Sequence, residues 1–231
     1  MSSPLHLDVD IGTSPEELVR LIQDNSTITS LYIKCSLVSL PCEIGQLKNL
    51  KSIIIEWCNN LTSLPCEIGK LSNLESIHIM GCNRLVHLPC EIGQLDSLKS
   101  LHINDCNGLT SLPCEVGELK NLESIYLHCN SLISLPCEIG ELDSLKSIQI
   151  EWCNSLTSLP CAIGELTNLK SITIMWCHSL TSLPCEIGQL TSLKSLHIMG
   201  CPKLVHLPCE IGQLTNLKSI HIEDCSLTSL P

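Results

Sequence analysis

The sequence predicts an α/β solenoid, a stack of short coils that each give one strand to a single parallel sheet and return through a turn-rich segment. Three observations carry this. Leu-Pro recurs at Leu40, Leu64, Leu88, Leu112, Leu135, Leu159, Leu183, Leu207 and Leu230, at intervals of 23 or 24 residues, and self-similarity at such a period marks a repeat architecture. Within each interval a short apolar run alternates with period two. The composition is 44% hydrophobic, yet it holds three tryptophans, two tyrosines and no phenylalanine. A wide globular core is normally filled with aromatic rings, whereas thin stacked layers can be filled by Leu and Ile.

The unit reads LPCEIGxLxxLxSIxIxxCxxLxx from Leu64 to His87. Leu40–Ser63 and Leu135–Ser158 differ only at 46, 48, 49, 54 and 60 of the first copy. In Ser52-Ile53-Ile54-Ile55-Glu56, Ile53 and Ile55 share one face and Ser52, Ile54 and Glu56 the other, which predicts a strand. Ile44, Leu47 and Leu50 are spaced by three, which suits a 3₁₀-like or short helical turn. Gly45 lies between them and recurs in every unit, where the backbone needs positive φ or close approach. A single coil cannot bury its apolar side alone, but stacked coils can. Nine strands at 4.8 Å give a sheet roughly 40 Å long.

Residues 1–27 read as an N-terminal capping segment. Ser14 at N-cap, Pro15 at N1 and Glu17 at N3 form a capping box. Leu18, Leu21 and Ile22 follow as the apolar face of a helix over about 14–24, placed to cover a first coil that begins at Ile28-Leu31-Ile33. Residues 28–231 form one array of eight to nine coils. The sequence ends at Leu230-Pro231, partway into a coil without a polar closing helix. The expectation is an open edge able to pair with a second copy as a homodimer.

Formal charge is −11, which argues against a general nucleic-acid binder. The apolar runs are too short to span a membrane, and the apolar fraction is too high for disorder. The start carries no secretory signal, so a cytoplasmic location is expected. Seventeen cysteines show no CxxC or other metal-ligand spacing. They fall into two rows, Cys35 to Cys225 after the strands and Cys42 to Cys209 after the prolines. Their reading is reduced thiols that act as small apolar groups, without cofactor or metal. Cα atoms stacked one coil apart in the second row would fall within disulfide range.

The frame LxxLxxIxIxxCxxLxxLPxxIGxL, from Leu47 through Leu71, resembles the leucine-rich repeat family, and most of all its plant-type cytoplasmic class of 23–24 residues. The resemblance covers about residues 28–231. It implies a right-handed curved superhelix with the parallel sheet on the concave face and 3₁₀, short-helix or irregular returns on the convex face. It also implies protein binding by variable positions on the strand side.

Those positions are where the copies differ. One outward row reads Ile54, His78, His102, Tyr126, Gln149, Thr173, His197, His221. The next reads Glu56, Met80, Asn104, His128, Glu151, Met175, Met199, Glu223. The third reads Trp57, Gly81, Asp105, Trp152, Trp176, Gly200, Asp224, with one 23-residue copy lacking a member. Exposed Trp, Tyr, His and Met on a rigid sheet resemble interface anchors. Drift at unconstrained sites is the competing reading, since blocks such as His78–Cys82 recur intact at His197–Cys201. The pairs His78/His102 and His197/His221 are neighbours across strands and could approach a shared metal, helped by Asp105 or Glu223, although the repeat imposes that spacing by itself. Lys146, Lys170, Lys194 and Lys218 line one margin, either solvated or facing an acidic partner. Glu43 and its equivalents form a solvated acidic row.

No nucleophile–base pair, phosphate loop or metal signature is present. The reading is therefore a non-enzymatic scaffold that binds a protein or peptide through the concave sheet. Near-identity of the copies suggests an engineered or consensus-derived array. The alternative is the recognition domain of a natural cytoplasmic disease-resistance-type receptor.

Overall fold

In the computed structural model, which describes residues 6–228, the alternation of each unit becomes a strand whose inner side chains vanish from solvent. Ten strands form one sheet in strict chain order with every described pairing parallel. They are β1 (His6–Val9), β2 (Ser30–Ile33), β3 (Ser52–Glu56), β4 (Ser76–Met80), β5 (Ser100–Asn104), β6 (Ser124–His128), β7 (Ser147–Glu151), β8 (Ser171–Met175), β9 (Ser195–Met199) and β10 (Ser219–Glu223). Register is in phase, so Ser52 pairs with Ser76, Ile54 with His78 and Glu56 with Met80. Rows of equivalent residues therefore run straight across the sheet. The coils build a curved solenoid with the sheet on its concave side.

Eight returns are 3₁₀ turns, from Cys42–Gln46 to Cys209–Gln213. Each begins after a proline in extended conformation, as at Pro65 (φ −69°, ψ 147°), and buries one Ile or Val. The core is Leu, Ile, Val and Cys alone, and among the described residues it holds no buried polar or charged side chain. Each fully buried Leu or Ile contributes about 1.5–3 kcal/mol of transfer free energy. Phenylalanine is dispensable because a coil is one layer thick.

The turn glycine from Gly45 to Gly188 is required by close approach to the next coil, not by positive φ. A Cβ on Gly117 would lie 2.8 Å from Glu138 Cβ in the next coil and closer still to its carbonyl oxygen. Positive φ occurs elsewhere, in the row after the strands.

The N-terminal segment holds α1 (Pro15–Asp24), with the Ser14 hydroxyl accepting from the Glu17 amide at 3.2 Å and Leu18 and Ile22 buried. It lies against the first 3₁₀ turn. The sequence reading missed β1, which adds a tenth strand beside β2 with Val9 buried in the core. Leu7 and Val9 alternate as strand residues do, but four residues outside the repeat frame give too short a signal. The segment Leu230–Pro231, on which the expectation of end-to-end pairing rests, lies outside the described residues.

Both cysteine rows are free thiols. The strand-side row is buried from Cys35 to Cys201 and half-buried at Cys225. There, Cys82 donates weakly to Met80 O (3.6 Å) and Ile55 O (4.0 Å), and Cys106 repeats the pattern. Burial pushes the Cys153 and Cys201 thiols up to about 11. The convex row is exposed, and Cys114 donates to the Glu115 carboxylate at 3.4 Å. That bond favours the neutral thiol and raises its pKa. Glu115→Gln is expected to speed alkylation of Cys114 several-fold near pH 8, because thiolate is the nucleophile. Peptide mapping after iodoacetamide treatment checks this.

Candidate functional site

Outward residues of β3 to β9 are half-buried between their neighbours, so the concave face is a floor of close-set side chains, and those of β10 are exposed. The first row brings together three rings. His78 and His102 have centroids 4.5 Å apart, and His102 and Tyr126 5.9 Å apart. A hollow of about 180 Å³ lies here, lined by His78, Ile79, Met80, His102, Asn104 and Tyr126. Burial lowers the pKa of both histidines, and at His102 the charge of His78 adds to it.

That shift has a consequence for stability. Each folded-state pKa lies below the ordinary 6.5, so protonation favours the unfolded chain. The stability these groups contribute is complete above pH 6.5 and is lost as pH falls through the depressed folded-state values. Urea midpoints at pH 7.5 and pH 5 are expected to differ, and by less in His78→Gln/His102→Gln.

Carboxylates stand among the rings. Glu56 accepts from the Tyr32 hydroxyl (2.8 Å) and Glu151 from Tyr126 (3.0 Å), while Asp105 lies 3.4 Å from His128 and Glu223 3.0 Å from His221. Burial, then the charge and hydrogen bond of Glu151, raise the Tyr126 phenol. The three outward rows from Ile54 to Asp224 contain Glu56, Asp105, Glu151, Glu223 and Asp224 but no Lys or Arg. Lysines stand at the strand margin instead, where Lys99 and Lys51 both reach Glu75 (2.7 and 3.2 Å) and Lys146 reaches Glu123 (2.7 Å).

The third row is the unusual one. Trp57, Asp105, Trp152, Trp176 and Asp224 have φ between 51° and 58°, and Gly81 and Gly200 have 67° and 65°. Each is the first residue past its strand. Its amide extends the ladder, Trp57 N to Met80 O and Trp176 N to Met199 O at 2.8 Å, while its left-handed backbone turns the chain toward the buried cysteine. Glycine is the natural occupant, and a bulky residue at positive φ is an outlier. The indoles lean over the following coil. A Cβ on Gly81 would lie 2.8 Å from Trp57 Cζ3, and one on Gly200 2.7 Å from Trp176 Cδ2. Trp152 stacks on Trp176 (5.5 Å, 19°) and faces His128 (6.5 Å). Trp57 and Trp152 remain 47% and 41% exposed.

The positions chosen from the sequence thus divide into a His–His–Tyr group, a His–Trp–Trp ladder, the His197–His221 pair with centroids 4.8 Å apart, and Trp57 over Gly81. Ile54, Gln149 and Thr173 lie on the same floor with Met175 and Met199. Two participants lie outside the predicted binding positions. His178 meets Trp152 edge-on at 6.0 Å, and Tyr32, which the sequence places among the outward aromatics, orients Glu56. Tyr32 pairs with Ile54 in the first row. His178 follows the cysteine in a loop, where periodicity says nothing.

Comparison with known proteins agrees with this architecture. A family model for a leucine-rich repeat region matches residues 79–180 and 105–200, together more than half of the chain. No curated protein matches significantly. Among solved structures, the leucine-rich repeat domain of the type III effector XopL is similar, at 27% identity over 94% of this chain and 76% of that one, with TM-score 0.84. The Toll receptor of Drosophila, in its glycosylated complex with Spatzle, shares the fold at 21% identity and TM-score 0.79. That match covers 100% of this chain and 34% of Toll. Internalin C2 of Listeria monocytogenes shares it at 14% identity and TM-score 0.57, over 80% and 76% of the two chains. No described helix is long and apolar enough to cross a membrane.

Proposed function

The chain belongs to the leucine-rich repeat family, and from that premise we propose a non-enzymatic scaffold whose concave face binds an extended basic segment of a protein or peptide. The observation that carries this is the indole row. Three tryptophans occupy left-handed positions that glycine fills without strain in two other coils, on a face whose three outward rows from Ile54 to Asp224 hold carboxylates and neither Lys nor Arg, Lys34 standing one coil earlier in the Glu56 column. Strained positions cluster at functional sites. Indole faces beside carboxylates are the chemistry that receives Lys and Arg side chains. Electrostatic complementarity speeds encounter and selects against acidic partners.

The near-identity of the coils supports an array produced by copying one unit, as in consensus-based engineering, and such an array need have no physiological ligand. A peptide-display selection against the intact chain tests the binding reading. It is expected to enrich Lys/Arg-bearing sequences with salt-sensitive affinity. Enrichment of acidic sequences, or binding untouched by loss of all three indoles, would overturn it.

A further inference from the structure

The repeated block His-Ile-Met-Gly-Cys does something the peptide reading does not require. In β4 it places His78 and Met80 on one face two residues apart, and β5 sets His102 and Asn104 directly opposite them. The two imidazoles are 4.5 Å apart, and Asn104 Nδ2 lies 3.6 Å from Met80 Sδ. All four side chains line the same hollow. The Asn104 side-chain oxygen Oδ1 is buried there without a hydrogen-bond partner. The second copy repeats the strand placement, with His197 and Met199 of β9 opposite His221 and Glu223 of β10, but there His221 is exposed and pairs with Glu223 at 3.0 Å. There the rings are 4.8 Å apart, and His197 Nε2 is buried with no partner.

We propose that His78, His102 and Met80 form a site for a soft monovalent metal ion of the Cu(I) class, bound by two imidazole nitrogens and one thioether sulfur, and that His197, His221 and Met199 repeat it. Ligand type and number select the ion. Among the described residues no three His, Cys, Asp or Glu side chains come together around one point. A zinc site, which uses four N, O or thiolate-type positions, is therefore not built. Thioether and imidazole together suit Cu(I). Tyr126 closes one side of the hollow, and Asn104 lies against the sulfur.

The test must separate this site from the exposed convex thiols, which also favour soft ions. The intact chain is first alkylated with iodoacetamide at its exposed cysteines, and Ag(I) nitrate serves as a redox-inert probe. With only four methionines in the chain, ¹³C-methyl-methionine spectra read the sulfur directly. The expected result is saturable displacement of the Met80 methyl resonance near one equivalent, and of Met199 near a second. His78→Gln/His102→Gln is expected to weaken the Met80 effect by at least tenfold and leave Met199 unchanged, with the circular dichroism of the sheet retained. An unmoved Met80 resonance under excess Ag(I), or equal affinity in the double variant, would overturn the proposal. Either outcome leaves the indole row and its peptide reading untouched, because no tryptophan is a ligand.

Discussion

Gly117→Ala is expected to lower the unfolding free energy by about 3 kcal/mol, at the upper end of typical overpacking costs. The added methyl group would meet Glu138 backbone and Cβ of the next coil. That neighbour is main chain and cannot swing aside as a flexible side-chain tip would. Coils interact only with their neighbours, so a forced gap between two central coils weakens the coupling on which the array depends. The molecule supplies its own control. Gly212 occupies the same place in a later turn, yet a Cβ there meets nothing within 4 Å. Gly212→Ala should change stability by less than about 0.5 kcal/mol, the ordinary range for an unconstrained surface change. Urea titrations of both variants check the pair. Equal effects would show that inter-coil approach is not what demands glycine.

The second large effect concerns binding. Replacing Trp57, Trp152 and Trp176 together by glycine is expected to weaken a selected basic partner by at least about 30-fold, since a single anchoring tryptophan commonly contributes 2 kcal/mol or more. Stability should change far less. Each left-handed non-glycine residue costs roughly 1–2 kcal/mol of backbone energy, which glycine removes. Against this stands the loss of stacking, about 0.5–1.5 kcal/mol for a pair such as Trp152 and Trp176, together with some covered surface. The terms oppose one another, and Gly81 and Gly200 show that the backbone accepts glycine here. Alanine is the poorer probe because it keeps the strained φ while discarding the ring. A protein that loses binding while remaining as stable would place the indoles in recognition. A protein that unfolds instead would place them in the architecture.

Much of this was legible in the sequence for a physical reason. Two side-chain periods, two along Ile53–Ile55 and three along Ile44–Leu50, repeat eight times over, and repetition turns a weak local pattern into a firm one. In-phase register then follows, so rows written from the alignment of copies are real rows on the sheet. What escaped lay outside the frame or below the level of pattern. Strand β1 is a single four-residue stretch. His178 is a loop residue that matters only because Trp152 leans toward it. The left-handed backbone of the tryptophan row was hinted at by Gly81 and Gly200 in the same alignment column. Glycine alternating with tryptophan is hard to read as a backbone demand until the φ angles are seen. The recurrent turn glycine admits positive φ or close approach, and only three-dimensional stacking distinguishes the two.

The three tryptophans also supply the most direct measurement, because the chain has no others and all three border the concave face. Titrating a selected basic peptide while following intrinsic fluorescence reads that face and nothing else. Binding there predicts a saturable change in emission with the same dissociation constant that calorimetry gives, lost in the glycine triple variant. Calorimetric binding that leaves the emission unaltered and keeps its affinity in the triple variant would contradict concave-face recognition.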